Sequence, residues 1–376
     1  MNKSNVKGKS RISQFIVPVI ILIILFGLSF LTRTGSAMRP SYIVVLFVSI
    51  LNYIVLSVSW NVFSGPSGYI SLATAAFFGV GIYVSALFGD KLPLPVLMIF
   101  AGAISFAIAA IIGVITLRLR GVYFTIFTFG LVLLLQYLIL WYEVKFNNLR
   151  GRTVESVPYN TVFISLLILV GIVLLGAYFV RRSRFGMALS GIGECEDAAA
   201  HIGVNTTAVK VIAFAATSFA IGAAGAAKAT TMIYIDPPIA FNVMMSFMPV
   251  LMVIFGGAGS FLGPIIGAIA FTILQEQLTT KWPKWYMIIF GTVMIISIVF
   301  LPKGLVGTIG EMHDNRKKIT LLLCTAGCML VGFGFTKILA AAGTNIGGLV
   351  FPLLFGIIGF VIFANVIKRN KGKEAA

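Results

Sequence analysis

Long apolar runs, each closed by a short polar segment, follow one another along almost the whole chain. Runs near the roughly 20 residues that a helix needs to cross a bilayer are Phe15–Leu31, Tyr42–Trp60, Tyr69–Phe88, Leu94–Leu117, Val122–Trp141 and Thr161–Val180. Six more follow at Val211–Met232, Ser246–Leu262, Ile265–Leu278, Trp285–Leu301, Thr320–Phe335 and Ile346–Ile367. The pattern therefore predicts an all-α polytopic membrane protein with up to twelve spans. One interruption is longer than any turn requires: Arg181 to Lys210 (RRSRFGMALSGIGECEDAAAHIGVNTTAVK). Within it Glu194, Glu196 and Asp197 load the start of an Ala-rich segment, where carboxylates suit the positive end of a helix dipole. Gly203 can close that segment as a left-handed cap. A two-turn exposed helix is predicted, and Asn205 to Thr207 then cap the next span.

Composition agrees with this class. With 59% hydrophobic and 10% charged residues and a mean hydropathy of +1.04, a soluble globular chain is excluded. Charge changes the picture by supplying direction. Of the 28 Lys and Arg, alternating spans put 18 on the side of the N-terminus and nine on the other, with Lys228 inside a span. The positive-inside rule then places both termini and the polar island in the cytoplasm of a bacterial-type plasma membrane. The net charge of +17 reads as this orientation signal with some affinity for anionic lipid, and nucleic acid is a poor partner. Lys3, Lys7, Lys9 and Arg11 precede an apolar run too long for a signal core, so an uncleaved first helix is favoured over a cleaved one.

No catalytic or metal constellation is visible: Cys195, Cys324 and Cys328 lack metal or disulfide spacing, and His201 and His313 stand alone. No cofactor is expected. The chain also lacks the G-x-x-x-x-G-K-[ST] phosphate loop, so it is not expected to hydrolyse ATP. Glycines at 65, 68, 79 and 81 can either let spans pack closely or break one beside a path, where Ser71, Thr74, Tyr123 and Thr128 would also lie. Arg118 and Arg120 read as membrane-edge anchors ahead of a gating role, and Lys228 as a snorkelling anchor ahead of a buried site. The spans carry no Asp or Glu except Glu276, which disfavours a stand-alone ion-coupled transporter.

Five segments, in order, resemble the permeases of branched-chain amino acid ABC importers. They are Gly65-Pro66-Ser67-Gly68-Tyr69-Ile70-Ser71-Leu72-Ala73-Thr74 through Tyr83; Leu117-Arg118-Leu119-Arg120-Gly121-Val122-Tyr123-Phe124 with Thr128 and Gly130; Ser183-Arg184-Phe185-Gly186 through Gly203; Asp236-Pro237-Pro238 with Phe241, Ser246 and Gly256 to Pro264; and Pro302-Lys303-Gly304-Leu305. The resemblance implies a core of about ten helices over residues 42–310 after a tail and first helix at 1–41. An added hairpin and basic tail at 311–376 fall outside it. It also implies that Glu194, Glu196, Asp197, Ala198, Ala199 and Gly203 form a coupling helix whose small alanines fit a partner groove. The implied partners are a second homologous permease, two cytoplasmic ATPases and an extracytoplasmic solute-binding protein. Branched-chain amino acids are the implied solutes, with urea, short amides or another small neutral or zwitterionic solute as alternatives. The chain departs from the family at Ala73-Thr74, where Gly-His or Gly-Gln is common, and at Met187, Ser190 and Gly193, where arginines are common.

Overall fold

The computed structural model describes residues 42–147, 150–281, 291, 292 and 304. The predicted first span and, apart from residues 291 and 292, the last three spans, which include the C-terminal hairpin, lie outside the described residues. The remaining eight predicted spans each coincide with a helix. They are α1 (Tyr42–Ser67), α2 (Thr74–Phe88), α3 (Leu94–Thr116), α4 (Val122–Tyr142), α5 (Tyr159–Arg182), then α8 (Thr206–Ala229), α10 (Met244–Gly256) and α11 (Gly263–Lys281). Between them the polar island folds as α6 (Arg184–Glu194) and α7 (Glu196–His201), and Pro237–Ala240 forms the single turn α9. Two short strands, β1 (Arg152–Thr153) and β2 (Tyr234–Ile235), pair antiparallel with Arg152 opposite Ile235. Among the described residues, six stretches are long and apolar enough to cross a membrane. Large apolar side chains such as Ile99, Ile111, Ile126, Leu134, Ile168 and Ile172 face outward, the reverse of a water-soluble surface. The protein is a multi-pass membrane protein.

Two compact units divide after Val250. In the first, α8 is the central helix and packs on α3, α2 and α1. Small residues permit this approach: a Cβ on Gly81 would strike the Gly222 carbonyl, one on Gly225 the Phe78 carbonyl, and one on Gly222 the Ser105 hydroxyl. Without a water-driven force between lipid-immersed helices, such close backbone contact supplies the dispersion energy of association. Phe63, Phe77, Phe124 and Phe214 close the core beside it, with Phe214 centred 5.3 Å from both Phe63 and Phe77. In the second unit, the turn 257–262 joins α10 to α11, with Gly257 and Gly259 at positive φ. Ser260 holds this turn by donating to Gly257 O at 2.7 Å and accepting from Gly263 N at 2.9 Å.

The span predicted from Tyr69 begins only at Thr74, because residues 68–73 are not helical. Gly68 leaves α1 at φ 71°, a conformation that disfavours side-chain-bearing residues. Backbone groups in a broken membrane span must find partners within the protein. Here Trp60 Nε1 donates to Ser71 O at 2.7 Å, Thr125 to Ile70 O at 2.9 Å, and Thr128 accepts from Leu72 N at 3.0 Å. Ser246 donates to Leu72 O at 2.6 Å and accepts from Ala75 N at 3.1 Å.

Candidate functional site: a charged hub joining the polar island to the broken span

Three segments that alternation assigns to one side of the membrane, at Tyr69, at 117–120 and at 196–210, meet at one end of the first unit. Ser183 caps α6 by accepting from Gly186 N at 3.2 Å, and Leu189 and Ile192 are buried along its inner face. This amphipathic helix was hidden in the sequence by the polar residues around it. Gly193 sits so close to α1 that any Cβ would meet the Pro66 carbonyl. The helix α7 then runs from Glu196 and ends as predicted, with Gly203 at φ 87° and Val204 N donating to Ala199 O. Asn205 caps α8 by accepting from Ala208 N at 3.0 Å.

The acidic start of α7 is held inward by side chains from three other segments. Lys210, on the first turns of α8 and only 2% exposed, places Nζ 2.5 Å from Glu196 Oε1. The same ammonium donates to Leu117 O at 2.9 Å and to the Tyr69 hydroxyl at 3.2 Å. Tyr69, the second residue of the break, donates to Glu196 Oε2 at 2.5 Å. Arg120 reaches over from the α3–α4 turn, forked onto Asp197 at 2.9 and 3.4 Å and 3.8 Å from Glu196. A buried ammonium is tolerable only when paired and hydrogen-bonded, and all three Lys210 donors have acceptors here. Burial alone would push the Glu196 carboxyl up. The hydrogen bonds from Lys210 and Tyr69 and the charges of Lys210 and Arg120 outweigh it and hold Glu196 below its ordinary value. Asp197 is likewise lowered, chiefly by its hydrogen bond from Arg120.

Glu194, Ala198, Ala200 and Gly203 are exposed, whereas Ala199 is 4% exposed within this chain alone. Ala199 therefore faces its own protein, and the surface open to a partner is Ala198, Ala200 and the 81%-exposed Ile202. Of the residues read as lining a path, Ser71 and Thr74 border a cavity of about 10 Å³ shared with Trp60, Ser64, Thr217 and Ser218. That is room for one water at most. Thr128 supports the break from outside that cavity. Gly65 lies in α1, Gly68 makes the exit turn, and Tyr123 is 74% exposed. Gly79 packs on the Phe241 ring and Gly81 on α8, so both serve close contact. Lys210 and Arg120 are the hub residues that the sequence reading passed over, one as a charge in the orientation count and the other as an edge anchor.

A helical membrane protein whose polar island is tied to a broken span fits a transporter, in which broken spans line the solute path. The chain belongs to the family described as branched-chain amino acid transport system / permease component, whose model matches residues 42–298. It is similar to the high-affinity branched-chain amino acid transport system permease protein LivM of Salmonella typhimurium, at 25% identity over 340 residues. That match covers 79% of this chain and 76% of LivM. LivM of Escherichia coli K12 is 24% identical over 334 residues with the same coverage. The autoinducer 2 import system permease protein LsrC of Escherichia coli O157:H7 is 23% identical over 184 residues, or 45% of this chain and 53% of LsrC. No solved structure matches the chain significantly.

Proposed function

We propose that this permease is one membrane subunit of an ATP-driven importer for branched-chain amino acids, and that α7 is its coupling helix. A second homologous permease, two ATPases on the α7 side and a solute-binding protein on the opposite face complete the machine. The observation that carries this reading is the hub, because Glu196 at the start of α7 is bonded both by Lys210 of α8 and by Tyr69 of the span that breaks beside the internal cavity. A displacement of α7 by an ATPase would be passed through Glu196 and Lys210 to Tyr69 and the break. Ile202 and the exposed Ala198 and Ala200 supply the apolar contact for the ATPase, with both termini on that same, cytoplasmic side. The family match over residues 42–298 and the two LivM relatives support the solute class. The test is uptake of radiolabelled leucine by proteoliposomes holding the whole complex. Accumulation should require ATP on the α7 side and binding protein on the other, and uptake by this chain alone under an ion gradient would overturn the reading.

A further inference from the structure

At the end of the first unit opposite the hub, a cavity of about 760 Å³ is bordered by Glu143, Phe146, Arg150, Arg152 and Tyr234. Glu143 begins a π-helical turn at the end of α4, Glu143–Asn147, a widened geometry often found at functional sites. Its side chain is only 2% exposed. Gly151 N donates to Oε2 at 3.0 Å, and Arg152 Nε lies 3.5 Å from Oε1. Oε1 is buried and makes no hydrogen bond of good geometry, and neither does the buried Tyr83 hydroxyl near this end of α2, which lies against the same carboxylate. Pairing of β1 with β2 fixes Arg152, and Tyr234 is anchored by donating to Arg150 O at 2.6 Å.

A fixed carboxylate, with the Tyr83 hydroxyl against it, stands beside a guanidinium on a cavity also lined by Phe146, Arg150, Thr153 and Tyr234. We propose that this is a receiving site for a free α-amino acid zwitterion. The solute ammonium would bond the Glu143 carboxylate, its carboxylate the fork of Arg152, and its apolar side chain the rings of Phe146 and Tyr234. A guanidinium fork matches a carboxylate in two parallel hydrogen bonds, and a solute bearing both charges leaves neither member of the Glu143–Arg152 pair without a partner. The assignment deepens the proposed function and rests on it. It makes the outer mouth selective for the head group that all amino acids share, leaving side-chain discrimination to these rings and the binding protein.

The test uses the assembled complex in nanodiscs without binding protein, with tritiated leucine as probe. Leucine should bind, while 4-methylvalerate, lacking the ammonium, and isoamylamine, lacking the carboxylate, should fail to compete. Glu143→Gln and Arg152→Lys should each weaken leucine binding by about tenfold or more, the loss expected for one charge-assisted contact. Arg152→Lys keeps the charge opposite Glu143, so it carries the test if Glu143→Gln does not assemble. Leucine affinity unchanged in Arg152→Lys, or equal competition by either analogue, overturns the site. Loss of binding-protein docking in these variants with leucine binding intact would instead make this face a protein-docking surface, and also overturns it. A wild-type complex that does not accumulate leucine with ATP and binding protein contradicts the functional reading. One that accumulates leucine undiminished in both variants contradicts this site alone.

Discussion

Lys210 and Glu196, fourteen positions apart on two helices, meet at 2.5 Å with the lysine almost wholly buried. Removing one member of a buried pair leaves the other charge uncompensated. Glu196→Gln should therefore destabilise the assembled protein by about 3 kcal/mol. Lys210→Met should also destabilise, and the double variant should recover part of the loss, giving a coupling energy of the sign expected for a direct pair. Thermal unfolding of the four proteins in one detergent measures it. Additive losses would show that the two residues do not act together.

Acid should dissolve the same contact. Glu196 titrates below its ordinary value in the fold and near about 4.3 when unfolded. Its stabilisation is thus fully present above that ordinary value and is lost as pH falls through the lower, folded one. The gap in melting temperature between wild type and Glu196→Gln should be constant from pH 7 to about 5 and then narrow toward pH 3. A gap that narrows as pH rises would reverse the assignment.

Much of the helix plan was legible because lipid imposes a single apolar requirement on every span. Its failure at Tyr69–Phe88 is instructive: the break at 68–73 carries Tyr69, Ile70, Leu72 and Ala73, as apolar as helix, and Gly68 alone marks it. The hub was not legible. Lys210 contacts residues 141 and 93 positions away, and nothing local to its sequence separates a pairing lysine from one that sets orientation. The one available signal was a lysine standing within the first turns of an apolar span, where exposure is not assured.

Close packing of α2 on α8 should tolerate no added methyl at Gly81, whose Cβ would meet the backbone carbonyl of Gly222. Gly81→Ala should cost about 1–3 kcal/mol through overpacking, read as a lowered melting temperature. At Gly130, where nothing lies within reach of a Cβ, the same change should leave it nearly unmoved.

Ile202 is 81% exposed at the end of α7 and should be a docking residue for the ATPase. Ile202→Ser should leave the fold within about 0.5 kcal/mol of wild type and weaken ATPase association about tenfold, the loss expected for one buried aliphatic side chain. Equal affinity in a titration of detergent-solubilised ATPase would place the docking contact elsewhere.

The central claim is that force passes from α7 to the broken span through the hub. Tyr69→Phe tests it most directly, since it deletes only the hydroxyl that donates to Glu196 and accepts from Lys210. In proteoliposomes holding the full complex, the measurement is leucine accumulated per ATP hydrolysed. The account predicts that this ratio falls several-fold, as expected for losing one charge-assisted hydrogen bond, while assembly and ATP hydrolysis persist. A wild-type ratio in Tyr69→Phe and in Glu196→Gln would contradict it.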